Sequence, residues 1–123
     1  MKLRFRDNSV RLRINQREVA ALAAGQPLEE RIHFPAGNSF AYTLEPSVSS
    51  APEVSFVNGT LRISADQATL HSWAENDAIG LYFDIPGKDA SLKIIIEKDL
   101  ECVNEPLEER DPFAYPRSNG GQC

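Results

Sequence analysis

Apolar residues fall on every second position in eight short runs, and two intervening stretches switch to helical spacing. The first runs are Leu3 to Arg6 and Ser9 to Ile14, separated by Asp7-Asn8. A two-residue turn there closes a hairpin with one apolar face. Phe5 then lies opposite Val10 and Leu3 opposite Leu12, while Arg4 faces Arg11 and Lys2 faces Arg13 on the other side. Asn15, with Glu18 three positions on, is a capping-box start for a helix. Val19, Leu22 and Ala23 form its apolar stripe, and Gly25 and Pro27 end it. Leu28, Ile32 and Phe34 share one side of the next strand. Phe40, Tyr42 and Leu44 alternate in the one after, which ends at Glu45-Pro46.

The segment Ser47 to Pro52 is small, polar and without period, as expected of a joint. Beyond it Val54 and Phe56 precede Asn58-Gly59, a strong two-residue hairpin signal, and Leu61 and Ile63 follow. Ser64 and Gln67 are spaced as a second capping box, with Leu70, Trp73 and Ala74 as the helical stripe. Two alternating runs close the pattern: Ile79, Leu81, Phe83 and Ile85 up to Pro86, then Leu92, Ile94 and Ile96 before Glu97.

The two series correspond in order. Leu12-Arg13-Ile14 matches Leu61-Arg62-Ile63; Ile32, Phe34 and Pro35 match Phe83, Ile85 and Pro86; Leu44-Glu45 matches Ile96-Glu97. The expected fold is therefore α+β: an antiparallel sheet of about eight strands with two helices, made of two ββαββ repeats related by a pseudo-twofold axis. The expected domain is residues 1–101, with halves 1–46 and 53–101. Residues 102–123 form an acidic, proline-containing tail.

Composition agrees with a folded domain. The chain has 123 residues, 41% hydrophobic and 25% charged, enough to bury a core. No apolar run approaches the roughly 20 residues of a membrane span, and MKLRFRDN lacks the apolar stretch of a secretory signal. A cytoplasmic location without membrane partners is expected. Cys102 and Cys123 do not form a disulfide framework and are read as free thiols.

The segments KLRFRDNSVRLRINQREV and IIIEKDLEC resemble a family of small bacterial proteins of unknown function, over nearly the whole chain. That resemblance implies a compact cytoplasmic bacterial protein and carries over no catalytic residue. Glu97 to Asp99 also resembles the charged strand ends of triphosphate-tunnel enzymes. Their ExExK pattern is missing from the N-terminal strand here, so none of their residues is carried over.

Charge singles out one surface. The net charge of −5 disfavours generic nucleic-acid binding, yet the first hairpin sets Arg4 against Arg11 and Lys2 against Arg13. Like charges directly opposite one another destabilise a sheet, so the arrangement needs a reason. The candidate anion- or partner-binding set is Lys2, Arg4, Arg11, Arg13, Arg31 and Arg62, with Arg6 and Lys93 nearby. Its ligand would be an acidic protein segment or a phosphate-bearing molecule. The competing reading is a salt-bridge ladder in which Glu29, Glu45, Asp84 and Glu97 interleave with these cations.

The acidic tail, with Glu105, Glu108, Glu109 and Asp111, is expected to lie over the basic face, anchored by Leu107, Phe113 and Tyr115. Val57, Tyr82 and Ile95 are expected to adjoin as a docking or homodimer patch. Glu97, Asp99 and Glu101 give a divalent-ion alternative, the basis of a rival reading as a small phosphate-handling enzyme. His33 and His71 have no partner at ligand spacing, Cys102 has no neighbouring base, and no nucleotide or nucleophile motif is present. No catalytic residue, metal or cofactor is assigned. The leading expectation is a non-enzymatic binding module.

Overall fold

The structure is a computed structural model that describes residues 1–101 and 106–117. Its elements run β1 (Lys2–Arg6), β2 (Ser9–Ile14), α1 (Gln16–Ala23), β3 (Leu28–His33), β4 (Ser39–Ser47), β5 (Glu53–Val57), β6 (Thr60–Asp66), α2 (Gln67–Glu75), β7 (Gly80–Ile85) and β8 (Leu92–Lys98). A 3-10 turn follows at Leu107–Glu109. The fold is α+β, but the expected single antiparallel sheet is not formed. The strands divide into two four-stranded mixed sheets, ordered β1-β2-β8-β7 and β3-β4-β6-β5.

Local signals fix the hairpins, and these are antiparallel as the short turns require. The register of the first is the expected one: Lys2 with Arg13, Leu3 with Leu12, Arg4 with Arg11, Phe5 with Val10. Asp7 takes φ 51° in its turn; in the second hairpin Asn58 and Gly59 take 52° and 74°. Gly59 is also held by space, since a Cβ there would lie 2.9 Å from the Ser39 carbonyl oxygen. The departure from the expected sheet lies in how the hairpins join. At the centre of each sheet two hairpins meet in parallel, β2 on β8 and β4 on β6. Such pairing between remote segments leaves no trace in local spacing.

The helices connect the sheets, α1 running from β2 to β3 and α2 from β6 to β7. Asn15 and Glu18 form the expected capping box on α1. The second expected box, Ser64 with Gln67, does not form. β6 continues to Asp66, which precedes α2 without a side-chain capping bond. Pairing with Pro46 and Ser47 of β4 holds Ala65 and Asp66 in the ladder, so strand pairing takes the residues that the capping motif would need.

One core unites the two sheets. Leu12, Ile14, Ile94 and Ile96 from the first sheet meet Leu44, Ile63 and Ala65 from the second, with Val19, Leu22, Leu70 and Trp73 from the helices. Trp73 is buried and its indole N–H donates to the Ala78 carbonyl at 3.0 Å. No helix among the described residues is long and apolar enough to cross a membrane.

Candidate anion-binding face

Strand alternation sends Lys2, Arg4 and Arg6 of β1, and Ser9, Arg11 and Arg13 of β2, to the side of the first sheet away from the core. The registers of β8 and β7 bring Lys93, Ile95 and Glu97, then Gly80, Tyr82 and Asp84, to the same side. Arg31 and Arg62 do not join them. They belong to β3 and β6, on the outer face of the second sheet. The six candidate cations therefore form two separate groups. Val57 likewise lies on the second sheet, so the expected patch of three shrinks to Tyr82 and Ile95, which are registered neighbours.

Carboxylates neutralise one end of the basic face. Glu97 Oε1 accepts from Arg13 Nε at 2.8 Å and lies 3.4 Å from an Arg11 terminal nitrogen. Lys2 Nζ is 2.9 Å from Asp99 Oδ2, and Asp99 is buried. The acids required for the divalent-ion alternative are thus engaged by cations, except Glu101. Glu101 is exposed, and its side chain accepts from the Arg117 backbone N–H. Among the described residues no cluster of three or more histidine, cysteine or acidic side chains is placed to hold a metal ion.

The other end is different. Arg4 and Arg6 are exposed, and their guanidinium groups contact no acceptor among the described residues. With Ser9 and Arg11 they line a depression of about 50 Å³. The Ser9 hydroxyl donates to the Arg6 carbonyl at 2.6 Å. Arg6 was legible as a neighbour of the set; Ser9 was missed, because a serine opening a strand carries no distinguishing signal.

On the second sheet Arg62 Nε donates to Glu45 Oε2 at 3.1 Å, and Thr43 Oγ1 donates to the same oxygen at 2.9 Å. Arg31 bonds Ser39 Oγ at 3.0 Å and lies 3.9 Å from Glu29. The salt-bridge ladder describes this face. A larger cleft, about 310 Å³, lies here between Glu45, Glu53, Arg62 and Ser64. It is larger than the arginine depression, but its one cation is already neutralised.

The tail takes a third position. Residues 111–117 lie against the start of α1 and the end of β8. Asp111 accepts from the Asn15 amide at 2.7 Å and from the Phe113 N–H at 2.8 Å. Phe113 O accepts from Gln16 N, and Tyr115 N donates to Asp99 O. Arg17 stacks on the Phe113 ring, 4.7 Å from its centre. Phe113 and Tyr115 anchor the described part of the tail, which makes no contact with Arg4 or Arg6. Glu108 and Glu109 are exposed; Cys102, Glu105 and Cys123 lie outside the described residues, as does the Leu107 side chain.

Tyr115 helps to enclose Lys98, which is only 6% exposed. Lys98 Nζ donates to Asn76 O at 2.6 Å and lies 5.4 and 5.5 Å from the Trp73 and Tyr115 rings. Burial holds its ammonium pKa below the usual lysine range, against an opposing pull from Asp77. It acts as a cap on the end of α2. His71 lies beside Glu75 on the same helix, and His33 is exposed on β3.

A model of a family of unknown function matches residues 1–119 of this chain. No curated protein and no solved structure matches it.

Proposed function

The chain belongs to the DUF7009 family of unknown function, and from that premise we propose that it is a non-enzymatic binding module whose partner is anionic. The binding surface is the outer face of the first sheet, at the end formed by Arg4, Arg6 and Arg11. One observation carries this reading: two exposed guanidinium groups without acceptors among the described residues border a depression whose third cation, Arg11, shares its partner Glu97 with Arg13. Leaving like charges adjacent costs stability, and an external anion would offset that cost. Arg13 and Lys2, held by Glu97 and Asp99, set the position of the face rather than contact the ligand. Arg31 and Arg62 are outside the proposal.

The test is an anisotropy titration of a labelled twelve-residue polyglutamate at low salt, with tripolyphosphate as competitor. The expected result is saturable binding that weakens steeply with salt and falls about tenfold or more in Arg4→Ala/Arg6→Ala. Unchanged binding in that variant would sink the proposal. The phosphate-handling enzyme remains the rival; release of phosphate from tripolyphosphate, abolished by Arg4→Ala/Arg6→Ala, would favour it.

The duplication expected from sequence belongs to the same proposal, as does the cytoplasmic location. Supporting duplication, exchanging the halves 1–46 and 53–101 converts the order β1-β2-β8-β7 into β5-β6-β4-β3, the order of the other sheet.

A further inference from the structure

We infer that the ligand of this face is a phosphorylated protein segment carrying an apolar side chain three or four residues from its phosphate. The inference rests on the anion-binding reading above and specifies its partner. It begins with the depression at Arg4, Arg6, Ser9 and Arg11. A space of about 50 Å³ admits a single small group. Guanidinium forks on several sides match a tetrahedral dianion, whose oxygens can take bidentate contacts from more than one of them. A carboxylate brings one charge and two oxygens, and leaves the remaining cations uncompensated.

The same row of the sheet supplies a second contact. Tyr82, Ile95, Arg11 and Arg4 are successive neighbours across β7, β8, β2 and β1. Tyr82 is 66% exposed. Its ring rests over Gly80, where a Cβ would lie 2.9 Å from the hydroxyl oxygen and 3.0 Å from the ring. Glycine thus lets the ring lie along the sheet as an exposed apolar step, with Ile95 beside it. At about 4.8 Å per strand, this step is roughly 10 Å from Arg11 and 14 Å from Arg4. An extended peptide covers those distances in about three or four residues.

The face is open, so a small phosphate ester would bury little surface and bind weakly. A protein segment crossing the strands reaches both the phosphate depression and the Tyr82 step. Single-stranded nucleic acid would need stacking platforms in series, and among the described strand residues of this face Tyr82 is the one aromatic ring. Charge complementarity points the same way: among the described strand residues, Lys2, Arg4, Arg6, Arg11, Arg13 and Lys93 share the face with Asp84 and Glu97, and Asp99 reaches only its Lys2 end.

The test uses the full chain and labelled peptides Gly-phosphoSer-Gly-Gly-Leu-Gly, its unphosphorylated form, its glutamate form, and a phosphorylated form with glycine for leucine. The phosphorylated leucine peptide is expected to bind about tenfold or more tightly than the glutamate form. Arg4→Ala/Arg6→Ala should remove that preference, and Arg4→Lys/Arg6→Lys, which keeps charge but not the forks, should reduce it. Tyr82→Ala, or glycine for leucine, should each weaken binding about three- to tenfold. Circular dichroism and urea unfolding check that the variants fold. Equal binding of the phosphorylated and glutamate forms overturns this inference but leaves the acidic-partner reading standing. No binding of any peptide, or of polyglutamate, sinks both. Tighter binding of a ten-residue oligouridylate than of the phosphopeptide overturns the choice of partner.

Discussion

On the first sheet six cations share the outer face with Asp84 and Glu97; on the second, Arg31 and Arg62 share theirs with Glu29, Glu45 and Glu53. Both faces are built on a parallel central pair flanked by hairpin partners. Both turn their apolar sides to one core. Folding therefore makes the same demand of each sheet and says nothing about the sign of the outer charges. The second face resolves its arginines internally, through Glu45 and Glu29. The first leaves Arg4 and Arg6 without an acceptor among the described residues, in a chain whose net charge is −5. A cost carried by one face, with an internal remedy visible on the other, is what the proposed anion-binding role would account for.

The largest effects test the shared core. Ile96→Ala and Ile63→Ala, one under each face and both fully buried, should each destabilise by about 2–5 kcal/mol in urea unfolding. A small loss for one of them would show that the sheets do not depend on a common interior, and the comparison of their outer faces would lose its basis. Next, Glu97→Gln unpairs Arg11 and Arg13. It should cost about 1 kcal/mol, discounted because Arg13 is 42% exposed, and raise tripolyphosphate affinity severalfold. Glu45→Gln on the other face should cost no more than about 1 kcal/mol and leave that affinity unchanged.

Acid should loosen the tail. Burial pushes the Asp111 carboxyl up, but the Asn15 amide, the Phe113 N–H, Lys2 and the N-terminal amine outweigh it and hold the pKa below the usual carboxylate range. A depressed folded pKa contributes stability above the unfolded value, lost as pH falls through the folded one. Hydrogen exchange at Gln16 N–H, which donates to Phe113 O, should therefore speed up relative to the core as pH drops below about 4. In Asp111→Asn this pH dependence should vanish. The smallest effect on stability is expected for Arg4→Ala: within about 0.5 kcal/mol, and on the favourable side, because it relieves the pair with Arg11.

The sequence carried the parts of this molecule that are decided by neighbours in the chain. The pairing of Arg4 with Arg11 follows from a two-residue turn and a two-residue period, and both are local. The Asn15 cap is equally local. The parallel meetings of β2 with β8 and β4 with β6 depend on partners some eighty and twenty positions away, and alternation alone does not say which apolar edges meet. That single omission moved Arg31 and Arg62 onto the wrong face. It also hid the acids' partners, since Glu97 reaches Arg13 only through the parallel register. The Ser64 motif failed for the same reason: the longer β4 captured Asp66 as its partner.

The most direct measurement is a ¹H–¹⁵N correlation titration of the full chain with pyrophosphate at low salt. The account predicts saturable shifts confined to Arg4, Arg6, Ser9 and Arg11, including their guanidinium Nε–H signals, with Arg31 and Arg62 unmoved. Shifts centred on Arg62, or none at Arg4 and Arg6, would contradict it.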